Sequence, residues 1–149
     1  MSLSGSVRRR QAAVLLVGAT EPEIQPWLRA AGHATRAARA AEEALAALGE
    51  EPVELVIVDR EPAGLDAPAV CRALRADRRI GEAWMLAITS PARGRRMADA
   101  ALHAGADDYV YRPFTRAELL ARADVGLRAA RQRADDSLLR ALMVNVPGA

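Results

Sequence analysis

Five short apolar runs alternate with five helix-like stretches along this chain, and that alternation limits its fold more than any other feature. Residues 12–17, 33–38, 53–59, 83–89 and 107–112 read as strands. Residues 22–32, 40–50, 67–77, 93–105 and a stretch from Arg116 to about Met143 carry helical spacing. Strict alternation implies a parallel sheet covered by helices on both faces. The near-continuous apolar runs at 12–17, 53–59 and 83–89 fit strands buried on both sides.

The punctuation agrees. Gly32 stops the first helix, and Pro26 sits in its first turn, where a missing N–H costs little. Gly49 reads as the C-cap of the second helix. Asp66 reads as the N-cap of the third, with Pro68 in the first turn. Gly105 closes the fourth. Thr115 caps the fifth, with Glu118 placed to complete a capping box.

At 149 residues, 51% of them apolar, the chain is one domain with material for a sizeable core. Aromatics are scarce (Trp27, Trp84, Tyr109, Tyr111 and Phe114), so Ala, Leu, Val and Ile build that core. The net charge is +2, and every basic residue is Arg. With so much Ala, this composition fits a GC-rich bacterial genome. Acidic residues interrupt the basic ones, so no basic stripe suits nucleic acid. Arg8-Arg9-Arg10 reads as part of a solvated N-terminal arm, residues 1–11. The single Cys71 excludes a disulfide framework and reads as a core thiol. No apolar run approaches the roughly 20 residues of a membrane span, and no signal-peptide core is present. A cytoplasmic location is expected.

In open parallel sheets a site lies beyond the C-terminal ends of the strands. The residues there are Gly18-Ala19-Thr20, Asp59, Thr89-Ser90 and Arg112-Pro113. A carboxylate, a hydroxyl and a cation would converge. That is the inventory of a phosphorylatable aspartate: a nucleophile, a donor for phosphoryl oxygens and a positive counter-charge. A dinucleotide site is disfavoured, because no G-x-G-x-x-G follows the first strand and Glu21 and Glu23 would repel phosphate. No P-loop exists, and His33 and His103 stand alone without metal-ligand spacing.

The segments “VELVIVDREPAGLDAPAVCRALR”, “MLAITS” and above all “ALHAGADDYVYRPFTRAELLARADVGLR” resemble the receiver domain of two-component response regulators, over roughly residues 12–131. The resemblance implies an α/β, flavodoxin-like or CheY-like (βα)5 three-layer sandwich with strand order 2-1-3-4-5. It puts Asp59 at the phosphoacceptor position, Thr89 at the switch hydroxyl and Tyr109 at the aromatic that rotates when the switch fires. Arg112 stands where the family has Lys, joined to Pro113 by a cis bond.

The chain departs from the family at the turn after the first strand. Receivers carry two consecutive acids there, which bind Mg²⁺ together with the phosphoacceptor. Here those positions are Gly18 and Ala19, and neither side chain offers an oxygen. Mg²⁺ demands near-octahedral oxygen coordination. Glu21 and Glu61 are the nearby acids that can compensate. The usual pocket sets three carboxylates against one Lys and needs a metal, whereas Asp59 against Arg112 is already balanced. The two are therefore expected to interact, directly or through water, without metal or other cofactor. Such a contact favours ionised Asp59 and occupies the nucleophile.

Two readings stay open. In the first, this is an atypical receiver acting as a regulatory interaction or dimerisation module. In the second, Asp59 is a working phosphoacceptor for a histidine kinase, with a rebuilt Mg²⁺ site. Enzymatic activity extends at most to autocatalytic phosphorylation of Asp59. Expected partners are a histidine kinase or phosphorelay protein, or an output domain in a longer chain, with neither nucleic acid nor membrane. A homodimer would use the face of helix 4, strand 5 and helix 5, which carries Arg95, Arg96, Asp99, Asp107, Asp108, Arg116 and Glu118. Residues 132–149 read as a helical linker. Leu120 and Leu127 fit one seam, but Ala134 follows, a poor heptad pattern. “SLLRALMVNVPGA” resembles the opening of a PAS sensor domain; a frayed tail is the other reading.

Overall fold

Val, Leu and Ile dominate the runs that become the central strands, and both faces of those strands are buried. The computed structural model describes residues 12–18, 22–59 and 65–144. Its strands are β1 (Ala13–Gly18), β2 (Ala34–Ala38), β3 (Leu55–Asp59), β4 (Trp84–Thr89) and β5 (Asp108–Tyr111). They form one sheet in the order β2-β1-β3-β4-β5 with every pairing parallel, as the resemblance implied. The helices are α1 (Ile24–Ala30), α2 (Ala41–Glu50), α3 (Ala67–Ala76), α4 (Gly94–Ala104) and α5 (Arg116–Val144).

Alternate residues of each strand enter two cores. Leu15, Val17, Val56, Val58 and Met85 meet α2, α3 and α4, through Leu48, Val70, Leu74 and Ala101. Val14, Leu16, Ile57, Leu86 and Ile88 meet α1 and α5, through Ile24, Leu28, Leu119 and Leu127. The sheet is thus sandwiched, with its C-terminal strand ends at one rim and its N-terminal ends at the other.

Most boundaries lie within one or two residues of the sequence reading. Asp66 caps α3 by accepting from the N–H of Ala69 at 3.1 Å, and Thr115 caps α5 by accepting from the N–H of Glu118 at 3.0 Å. Gly105 has φ 121°, the left-handed conformation expected at the end of α4. Gly49 is a correction. It lies inside α2, which runs on to Glu50 and ends at an extended Glu51. Its missing Cβ instead leaves room for Arg79, whose Nη1 would lie 2.4 Å away.

α5 runs unbroken for 29 residues, and its second half is tied to the N-terminal rim. Arg133 donates to Asp107 at 2.7 Å and stacks over Trp84 at 4.7 Å; Ser137 donates to Glu82 at 2.5 Å. Leu127 is buried against the sheet, and Leu120 packs on the same core. The seam read from these two leucines therefore faces the body of the domain. The arm at 1–11 and the Asn-x-Pro-Gly turn at 145–148 lie outside the described residues. Among the described residues, no helix is long and apolar enough to cross a membrane.

Candidate functional site

Parallel pairing in register aligns the C-terminal strand ends. Gly18 is paired with Asp59, Asp59 with Ile88, and Thr89 with Tyr111. The N–H of Arg112 then donates to the carbonyl of Thr89 at 2.8 Å, which turns the Arg112 side chain back over the rim. The Arg112–Pro113 bond is cis. Asp59, Thr89 and Arg112 are thereby brought together.

Asp59 is fully buried, and its carboxylate meets the guanidinium fork of Arg112 end on. Nη1 donates to Oδ1 at 2.7 Å and Nη2 to Oδ2 at 2.5 Å. This is the two-bond geometry that Arg allows and Lys does not. The contact expected from charge balance is therefore direct. Arg112 is in turn framed by aromatics: its guanidinium lies 5.8 Å from the Phe114 ring, and Trp27 meets Phe114 edge-on at 6.4 Å.

Thr89 is also buried, and its hydroxyl finds no hydrogen-bond partner among the described residues. Tyr109 stands on the α4 side of β5 with Tyr111 beside it, ring centroids 5.2 Å apart. Burial and the neighbouring Tyr109 push the Tyr111 hydroxyl above its ordinary pKa. The sequence reading missed Tyr111, Trp27 and Phe114 as parts of this surround. The i, i+2 spacing of the tyrosines was the available signal for one face of a strand. The Trp27–Phe114 contact joins distant segments and left none.

The receiver resemblance implies Mg²⁺ at this rim, and the described residues do not fit it. Both oxygens of Asp59 are held by Arg112. Gly18 offers no side-chain oxygen, and its backbone is closed to one: φ is 101°, and a Cβ would lie 2.0 Å from the carbonyl oxygen of Asp59. Among the described residues no group of three His, Cys, Asp or Glu could hold a metal. Ala19, Glu21 and Glu61 lie outside the described residues.

Two of the acids assigned to the face formed by α4, β5 and α5 are engaged within the chain. Asp108 pairs with Arg122 at 2.9 Å, and Asp107 pairs with Arg75 and Arg133 at 2.8 and 2.7 Å. Cys71 is buried in α3, as expected of a core thiol, and His103 sits on α4.

Comparison with known proteins places this geometry. The family model described as the response regulator receiver domain matches residues 21–124. The DNA-binding response regulator MtrA of Mycolicibacterium smegmatis is 36% identical over 101 residues, covering 68% of this chain and 42% of that protein. The transcriptional regulatory protein PrrA of Mycobacterium tuberculosis is 34% identical over 129 residues, covering 84% of this chain and 54% of that protein. This chain thus spans about half the length of the relatives it matches. NtrX from Brucella abortus superimposes with a TM-score of 0.72 at 27% identity, covering 87% of this chain and 29% of that one. The receiver domain of a sensor histidine kinase from Pseudomonas aeruginosa, solved with magnesium in its active-site cleft, shares the fold at a TM-score of 0.66 and 24% identity, covering 78% and 98%.

Proposed function

This chain belongs to the response regulator receiver family of two-component signalling, and from that premise we propose that it is an atypical receiver. It works by contact with protein partners, while the Asp59–Arg112 pair holds its pocket in place of a metal. The observation that carries this reading is the two-bond contact between a fully buried Asp59 and Arg112. A phosphodonor would need a free carboxylate oxygen on Asp59. Freeing one breaks a charge-assisted hydrogen bond, worth roughly 1.5–3 kcal/mol. Without the acidic pair after β1, little compensates that loss. Positioned charge of that kind is a main source of transition-state stabilisation in phosphoryl transfer.

The partners proposed are a histidine kinase or phosphorelay protein, or an output domain joined to a longer chain, in a bacterial cytoplasm. The relatives named as DNA-binding extend well beyond the part matched here, so a nucleic-acid contact is not proposed for these residues.

One observation favours the second reading, a working phosphoacceptor on Asp59. The buried hydroxyl of Thr89, without a partner among the described residues, stands where a donor to a phosphoryl oxygen is needed. Glu21 or Glu61 would then supply the missing metal ligand.

Intact-mass measurement after incubation with acetyl phosphate and Mg²⁺, beside an Asp59→Asn control, separates the two. No adduct is expected on the folded wild-type chain. A phosphoryl adduct on the wild type alone would establish the second reading.

A further inference from the structure

The outward face of α5 carries a stripe that is exposed from one end of the helix to the other. Ala121, Val125, Arg128, Gln132, Asp136, Leu139 and Met143 follow spacings of 4, 3, 4, 4, 3 and 4 residues. At about 100° per residue they fall within an arc of roughly 80°, opposite the buried stripe of Leu119, Ala123 and Leu127. Val125, Leu139 and Met143 on this stripe are 50%, 58% and 66% exposed, and Leu138, Leu142 and Val144, off the stripe, are exposed as well.

The order of spacings reads the same in both directions about Gln132. Two such helices laid antiparallel on a two-fold axis through Gln132 would set Val125 against Leu139 of the second copy, and Ala121 against Met143. Arg128 would meet Asp136. Every apolar residue meets an apolar one and every charge its opposite, which is the self-complementarity an isologous interface requires. A parallel pair would instead set Arg128 against Arg128 and Asp136 against Asp136.

We propose that this stripe is a self-pairing surface whose occupant is the same stripe of a second copy, running antiparallel. The existing contacts of the charged positions do not stand in the way. Arg128 lies 3.4 Å from Asp124 in a pair whose side chains are 70% and 66% exposed, and Asp136 accepts from Gln132 at the exposed surface. Exposed pairs of this kind contribute little and exchange readily. The helix is also held against the body as far as Ser137, through Arg133 on Asp107 and Trp84 and Ser137 on Glu82, which lowers the cost of ordering it on pairing. The surface differs from the face of α4, β5 and α5 and is independent of the chemistry at Asp59. Failure of either proposal leaves the other standing.

Sedimentation velocity of the 149-residue chain from micromolar to several hundred micromolar tests it. A concentration-dependent dimer is expected. Val125→Glu with Leu139→Glu should leave a folded monomer, verified by circular dichroism. Arg128→Asp should weaken the dimer at least tenfold, and adding Asp136→Arg should restore it. In a Cys71→Ser background, disulfides should form when Val125→Cys and Leu139→Cys chains are mixed, and not within either alone. A wild-type monomer at every concentration, a dimer indifferent to these substitutions, or a disulfide between two Val125→Cys chains would each overturn the proposal.

Discussion

Removing Arg112 takes two charge-assisted hydrogen bonds from a buried carboxylate, the costly way to break an ion pair. Arg112→Ala should lower stability by about 3–5 kcal/mol, measured by urea unfolding. Arg112→Lys keeps the charge but not the fork, and should cost less. If the fork is what blocks the nucleophile, Arg112→Lys should also allow measurable phosphoryl incorporation on Asp59, because one oxygen is then released. Gly18→Ala should destabilise by roughly 1–3 kcal/mol, since the new Cβ meets the carbonyl of Asp59 and the backbone is left-handed there. Burial pushes the Cys71 thiol up from 9.0 to about 12, with Arg75 only partly opposing it. Above pH 9 the unfolded chain releases this proton and the folded one keeps it. The contribution of Cys71 is therefore complete below pH 9 and declines as pH rises towards 12. Iodoacetamide should leave folded Cys71 unmodified at pH 8 and label it in urea. Charges and residue types at these positions could be read from the sequence. The Asp59–Arg112 pairing was expected from charge balance alone, but the steric closure at Gly18 needed the backbone.

The elements themselves were legible because local chemistry and tertiary packing agree: apolar runs became strands, and Asp66 and Thr115 became caps. Thr115→Ala should cost about 1 kcal/mol through the lost cap at the start of α5, seen as a lower urea midpoint. Where two elements cross, local signals fail. Gly49 has the look of a C-cap, yet it serves a side chain from another segment. Gly126 lies within α5, where Gly→Ala ordinarily gains up to about 1 kcal/mol. Here a Cβ would lie 2.4 Å from Cδ1 of Trp84. Overpacking of about 1–3 kcal/mol should outweigh the propensity gain. Gly126→Ala is expected to destabilise the wild type and to be neutral or stabilising in a Trp84→Ala background. No sequence pattern announces which strand residue lies across a helical glycine.

At the scale of the whole molecule, the two rims of the sheet have separate tasks. The C-terminal rim holds the Asp59–Arg112 pair, and the N-terminal rim anchors the long α5. Ending the chain after Ala130 should preserve the sandwich, because the core residues of α5 stop at Ala130. It should cost about 1–3 kcal/mol, read by urea unfolding, from the lost ties of Arg131 to Glu54, at 3.5 Å, and of Arg133 and Ser137. The fold class and strand order were legible in the sequence because the “GADDY…RPF” segment is so specific. The direction of the second half of α5 was not, because its anchors Trp84 and Asp107 belong to other elements. We propose that Arg112 holds the carboxylate oxygens a metal would otherwise use, and a crystal structure of the wild-type chain grown in millimolar Mg²⁺ decides it. The Asp59 carboxylate should still be paired through both oxygens to Arg112, with no cation bound to it. An octahedral Mg²⁺ on Asp59, with Arg112 displaced, would contradict it.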